Sequence, residues 1–257
     1  MRKFLVLTFT FLFLNSASHA APLQANISKE GEAGINKIVD AETNQPIAGA
    51  RVTLPQKNYS TKTNSDGTFN LNADINGATV LSVEKEGYRP FSLTVNEKIA
   101  SRPIIVGIEK TNPMNITIDK DMFHLGDNNY SDMSANAGQF CVKCVGPYYT
   151  KKIQLSKITD NIYLVIGSII GVDTKMARSM GQNKIVHAYA SPPEIFFNGN
   201  KIAEIQLNGD GQRFKIPRNL IRADKNEITI KTGRNLMQTA YIDYDDIEIS
   251  NISIETH

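Results

Sequence analysis

Short strand-like segments, cut at close intervals by Asp-Gly and Asn-Gly turns, run through most of this 257-residue chain. In the first half they fall near 35–39, 50–54, 68–72, 79–84, 91–95 and 104–108. The punctuation between them is Asn44-Gln45-Pro46, Ser65-Asp66-Gly67, Asn76-Gly77 and Glu86-Gly87. Asp-Gly and Asn-Gly supply the positive φ angles that tight hairpins demand. In Thr68-Phe69-Asn70-Leu71-Asn72 the alternation places Phe69 and Leu71 on one face. Strands at this spacing, without helical periodicity between them, predict an antiparallel sandwich.

Residues 1–20 stand apart. Arg2 and Lys3 precede an apolar run over 4–14, and Ser18-His19-Ala20 ends the segment with small residues where a signal peptidase cuts. This pattern predicts a secretory signal peptide; its apolar run is shorter than the roughly 20 residues a membrane helix needs. The stretch 162–172 carries Gly167 and Gly171 and is also too short to span. Without Arg2 and Lys3, 26 of the 28 basic residues remain against 26 acidic ones. A formally neutral chain with no Lys/Arg cluster has no electrostatic footprint for nucleic acid. The expectation is a periplasmic or secreted protein with no membrane span, a polar lead over 21–33 and a first domain over 34–109.

Lys110-Thr111-Asn112-Pro113 reads as a linker, because Pro113 and the residue before it resist regular structure. Beyond it, strand candidates recur at 115–118, 153–155, 162–172, 185–188, 194–197, 201–207, 214–216, 227–231 and 247–254. Phe197-Asn198-Gly199-Asn200 is a two-residue hairpin signal, and 174–180 is the one helical piece, equally readable as an exposed turn. About nine strands over 114–257 suit one jelly roll. The whole is predicted as all-β: a small Greek-key sandwich, then a jelly-roll sandwich.

Two resemblances add to this reading. Gly34 to Asp40, Pro46-Ile47, Gly49-Ala50-Arg51-Val52, Asp66-Gly67-Thr68-Phe69 and Gly87-Tyr88 together resemble the carboxypeptidase regulatory-like domain, a transthyretin-like β-sandwich. That module is usually an accessory, and the resemblance implies no peptidase: neither His124-Leu125-Gly126-Asp127 nor His187-Ala188-Tyr189-Ala190 offers a His-x-x-Glu pair. In the second half, Phe123 to Asn128, Ala135 to Phe140, Glu194 to Ile202 and Asp245 to Ile252 resemble a galactose-binding-like domain. Relatives of that fold include carbohydrate-binding modules, so a glycan ligand is what the resemblance implies.

The chemistry-bearing residues are few. No Gly-x-Ser-x-Gly elbow or justified Cys-His pair is present. The acidic run Asp245-Asp246-Ile247-Glu248 places neighbours on opposite faces of a strand, unlike the opposed carboxyls of a glycosidase. The expectation is therefore no enzyme and no catalytic residue. Cys141-Val142-Lys143-Cys144 reads as a local disulfide of an exported chain; a zinc site would need two further ligands, and a redox pair would need a helix to open. Asp127, Asn128 and Asn129 lie near the first strand, and Asp243, Asp245 and Asp246 near the last. If those strands are neighbours the clusters meet. Structural Ca²⁺ at Asp127, Asp243, Asp245 and Asp246 is then one reading, and ordinary turn chemistry the favoured one. With no Trp in the chain, ring stacking falls to tyrosines. Gly146-Pro147-Tyr148-Tyr149 places two together in an expected loop, with Tyr130, Asn128 and Asn129 as further contacts. The same exposed aromatics would serve an envelope or extracellular protein partner equally well.

Overall fold

The computed structural model describes residues 25–27, 35–111, 115–130, 140, 142–155, 161–183 and 189–256. The first unit holds β1 (Ala25–Ile27), β2 (Lys37–Asp40), β3 (Arg51–Leu54), β4 (Tyr59–Lys62), β5 (Thr79–Glu84), β6 (Phe91–Val95) and β7 (Ile104–Ile108). They form two facing sheets, β1-β7-β2 and β4-β3-β5-β6, antiparallel except for the β2–β7 pair, which is parallel. Ile38, Val52, Leu54, Phe69, Leu81, Val83, Val106 and Ile108 fill the space between. Burying each such side chain contributes roughly 1.5–3 kcal/mol. A one-turn helix, α1 (Glu97–Ala100), is capped by Asn96 and links β6 to β7.

Residues 68–72 form no strand. The Asn64-to-Thr68 turn closes through Gly67, whose φ is +78° and whose added Cβ would lie 2.6 Å from the Ile38 carbonyl oxygen. The turn brings Thr68 to one isolated bridge with Lys37, and Phe69 then drops into the core. The alternation of 68–72 therefore records a core plug. Strand β4 escapes the sequence reading for the opposite reason: Tyr-Ser-Thr-Lys at a sheet edge has little apolar content to announce it.

The second unit comprises β8 (Ile116–Leu125), β9 (Tyr148–Gln154), β10 (Ile162–Ile170), β11 (Glu194–Phe197), β12 (Asn200–Glu204), β13 (Gly209–Lys215), β14 (Lys225–Lys231) and β15 (Ile247–Thr256). Its sheets run β13-β10-β15-β8 and β12-β11-β14-β9, all antiparallel, which is the jelly-roll order of two interlocked Greek keys. Asn198 and Gly199, at φ 51° and 80°, make the expected hairpin between β11 and β12. The helical piece is α2 (Lys175–Ser179), whose first turn is satisfied by the Thr174 hydroxyl accepting the Ala177 N–H. The expected strand at 185–188 lies outside the described residues, as do 112–114 of the linker and residues 1–24. Among the described residues no helix is long and apolar enough to cross a membrane.

The two units pack sheet on sheet. The outer face of β5–β6 lies against the outer face of β10–β15, so four sheets stack and β10 and β15 are buried on both sides. A small apolar patch, Val80, Met122 and Ile170, shares this seam with many polar groups. Gln56 accepts from the Thr79 hydroxyl and from Val80 N–H (2.7 Å), and donates to Glu248 Oε2 (2.5 Å). Thr94 donates its N–H and hydroxyl to Asp210, both at 2.8 Å, and Asn251 donates to Ser82 Oγ at 3.0 Å. Arg89 reaches Glu255 across the same seam. Gly167 permits a close approach: an added Cβ would meet Ser92 Oγ of the first unit at 2.5 Å and Asn251 Cβ at 2.6 Å.

Candidate functional site

The first and last strands of the jelly roll are neighbours, as expected, and β15 pairs with β8 through Glu248 opposite His124. The two Asn/Asp clusters therefore meet. Asp127, exposed, accepts Asn129 N–H (3.0 Å) and Tyr244 N–H (2.9 Å). Asp243 accepts the Asn235 and Asn129 amides at 2.9 and 3.4 Å. Asn128, in the left-handed region at φ 61°, donates its backbone N–H to Asp246 Oδ1 at 3.1 Å. Most of these bonds fasten the turn after β8 to the lead into β15. Asp245 is buried and accepts the Asp173 N–H at 3.3 Å; burial, then the charge of Asp173, pushes its carboxyl well above the usual range. Asp127, Asp243, Asp245 and Asp246 do not converge on one point. Among the described residues a different set brings metal-binding side-chain types together: His124, Cys144 and Asp246, whose donor atoms lie within 4.8 Å of one another.

That group lies next to the seam between the units, where Glu248, opposite His124, meets Gln56. His124 is fully buried, with Nε2 2.6 Å from Asp246 Oδ1 and Nδ1 3.1 Å from the Val142 carbonyl oxygen. Both neighbours are acceptors, so the doubly protonated ring satisfies both. Burial opposes the ring's charge, but the hydrogen bond and negative charge of Asp246 outweigh it and raise the histidine above its ordinary value. Gly126 makes room for this contact, since a Cβ there would fall 2.1 Å from Asp246 Oδ1. Phe140 packs on the imidazole, ring centroids 4.8 Å apart, with Tyr130 against Phe140 at 5.2 Å. Glu248, directly opposite His124 in the ladder, is pushed up to about 7 by burial, against the opposing Gln56 hydrogen bond. Among the described residues Asp246 Oδ2 is buried with no hydrogen-bond partner.

Cys144 has a free thiol, bridged in register to His124 and half-buried. No disulfide is formed by it; Cys141, the expected partner, lies outside the described residues. Sequence reasoning set the zinc reading of these cysteines aside for want of further ligands. The signal it lacked was the β8–β15 register, which delivers His124 and Asp246 from opposite ends of the domain.

The tyrosine pair is corrected. Tyr148 and Tyr149 open β9 and occupy no loop, so they point to opposite faces. Tyr148 is exposed, with the Lys231 ammonium 5.9 Å from its ring centre. Tyr149 is buried against Phe123 and donates its hydroxyl to Asp119 at 2.6 Å, so it cannot stack on a ligand. Tyr130 is half-buried on Phe140, while Asn128 and Asn129 remain exposed at the turn.

A cleft the sequence did not announce opens beside Tyr148. About 370 Å³ in volume, it is lined by Ser191, Glu194, Glu204, Lys231, Arg234, Leu236, Ile242 and Tyr244, among others. Lys201 bridges Glu194 and Glu204 at 2.9 and 2.5 Å and fixes that wall. Leu236, Met237, Tyr241 and Ile242 leave an exposed apolar rim.

No curated protein matches the chain. A solved structure of Streptomyces avermitilis alpha-L-rhamnosidase, complexed with L-rhamnose, aligns with 87% of this chain at 8% identity and a TM-score of 0.24. The chain spans 23% of that enzyme's length, and a likeness this slight carries no argument. Residues 37–117, the first sandwich and the start of β8, match the model of the CarboxypepD_reg-like domain, which is the family this part of the chain resembles.

Proposed function

We propose that the protein is an exported, non-catalytic binding protein whose jelly roll holds a glycan in the cleft beside Tyr148. The cleft's lining carries the reading. Carboxylates, a guanidinium and hydroxyls stand around a concavity of sugar size, with Tyr244 and Leu236 offering an apolar wall. Such a set hydrogen-bonds ring hydroxyls while the wall covers ring carbons. Export rests on the signal-like residues 1–20, and the first sandwich acts as the accessory that steadies the jelly roll. A glycan array probed with the mature chain tests this. Retention of a defined glycan class, weakened at least tenfold by Arg234→Ala or Tyr244→Ala with the fold intact, is the expected result. Binding indifferent to both substitutions overturns the assignment.

A second reading, a protein partner in the envelope or outside the cell, is favoured by the apolar rim of Leu236, Met237, Tyr241 and Ile242. In that case Met237→Lys with Ile242→Lys abolishes capture of the partner while the array stays silent for the unaltered chain.

A further inference from the structure

We propose that His124, Cys144 and Asp246 form a binding site for a divalent transition metal, Zn²⁺ by ligand chemistry. Nothing in the glycan reading requires such a site. Nitrogen, sulfur and oxygen donors from these three side chains lie within 4.8 Å of one another. They come from β8, from the segment before β9 and from the lead into β15, so only the folded jelly roll assembles them.

The surroundings are those of metal ligands rather than of a simple ion pair. His124 donates Nδ1–H to the Val142 carbonyl oxygen, which aims Nε2 at Asp246, the backbone-carbonyl support that metal-bound imidazoles usually have. Asn128 N–H fixes Asp246 Oδ1, and Oδ2 of the same buried carboxylate has no partner among the described residues. An unsatisfied buried carboxylate oxygen costs folding free energy, and a cation is what satisfies it. Gly146 N–H points at the Cys144 sulfur at 3.4 Å, a donor suited to a thiolate. A thiolate, a carboxylate and a neutral imidazole together cancel a 2+ charge, which removes the penalty of placing the ion in a buried seam.

The donor set chooses the ion. Ca²⁺ and Mg²⁺ demand oxygen shells, whereas a mixed S, N, O set suits Zn²⁺. Zinc–ligand bonds of about 2.0–2.3 Å place neighbouring donors a little over 3 Å apart. The Nε2–Oδ1 contact at 2.6 Å therefore opens as the ion replaces the Nε2 proton, and Oδ2 is the carboxylate oxygen left to face the ion. Three protein donors leave the fourth position for water or another donor.

The full mature chain, reduced and then freed of reductant and chelator, is titrated with Co²⁺ as a spectroscopic probe, then with Zn²⁺ in competition. The expected result is one equivalent bound, with a thiolate-to-cobalt charge-transfer band and the d–d bands of a four-coordinate ion, both erased by stoichiometric Zn²⁺. Cys144→Ser, at a half-exposed position that the fold tolerates, removes the charge-transfer band. Asp246→Asn and His124→Gln each weaken binding at least tenfold. Circular dichroism of every variant checks the fold, and Cys144→Ser carries the decision where the other two fail to fold. Absence of the thiolate band in the unaltered chain, or its persistence in Cys144→Ser, overturns the proposal.

Discussion

Asp40 ends β2 by fastening its own turn. Its Oδ1 accepts the N–H groups of Glu42 and Thr43 at 3.0 and 2.8 Å, and Oδ2 accepts the Tyr88 hydroxyl at 3.1 Å. The Thr43 backbone bond leads in holding the carboxyl near 2, against the opposing effect of burial. A carboxyl depressed on folding gives stability that is present above the unfolded value and lost as pH falls through the folded one. Between about pH 4 and pH 2 the unaltered chain should therefore lose stability relative to Asp40→Asn. Urea midpoints at pH 4, 3 and 2 check this; a constant difference between the two proteins contradicts it. Asp66 repeats the device, lowered by the Thr68 hydroxyl and N–H across the turn that seats Phe69. Such turns were legible because their chemistry is local: the Asn or Asp and the groups it binds lie two or three residues apart.

At the scale of elements, β9 shows what local pattern leaves out. Gly146-Pro147 does make a bend, but the ladder to β14 begins at once, with Tyr148 opposite Lys231 and Tyr149 opposite Ile230. Two adjacent tyrosines on a strand have opposite fates, which no composition count distinguishes. Burial, followed by Asp119, drives the Tyr149 phenol far above its ordinary ionisation range, so it stays a hydroxyl donor. Tyr149→Phe should cost about 1 kcal/mol by leaving Asp119 one donor short. Tyr149→Ala should cost roughly 3–5 kcal/mol through the cavity as well, whereas Tyr148→Ala should fall within about 0.5 kcal/mol of the unaltered chain. Denaturant unfolding of the three variants measures the asymmetry; equal costs at 148 and 149 would refute the facing described. Strands β5, β6, β7 and β11 were read from sequence with their bounds, since each is a continuous apolar or alternating run between clear turns.

Across the whole molecule, the seam between the sandwiches was the least legible feature. Along β15, Glu248, Ser250, Ser253 and Glu255 stand between isoleucines, the pattern of a strand with one face in solvent. Glu248, Ser250 and Glu255 are instead buried, because the first sandwich covers that face. Donors for these groups lie far away in sequence, as with Gln56 for Glu248, and no local window contains both. Gln56→Ala strands the Thr79 hydroxyl, the Val80 N–H and one Glu248 oxygen together, and should cost about 2–4 kcal/mol. Calorimetry should show one cooperative transition for the unaltered chain and a split or broadened one for Gln56→Ala; a single unshifted transition would mean the seam contributes little. The paired faces of β5–β6 and β10–β15 also bear on how this architecture can be inherited. Sandwich modules of this size are commonly portable, recombined between proteins like interchangeable parts. Here the joint is keyed: cutting at the linker would expose Asp210, Glu248 and Asn251 without their donors and acceptors, so any lineage that shuffles one half must carry the other along as ballast.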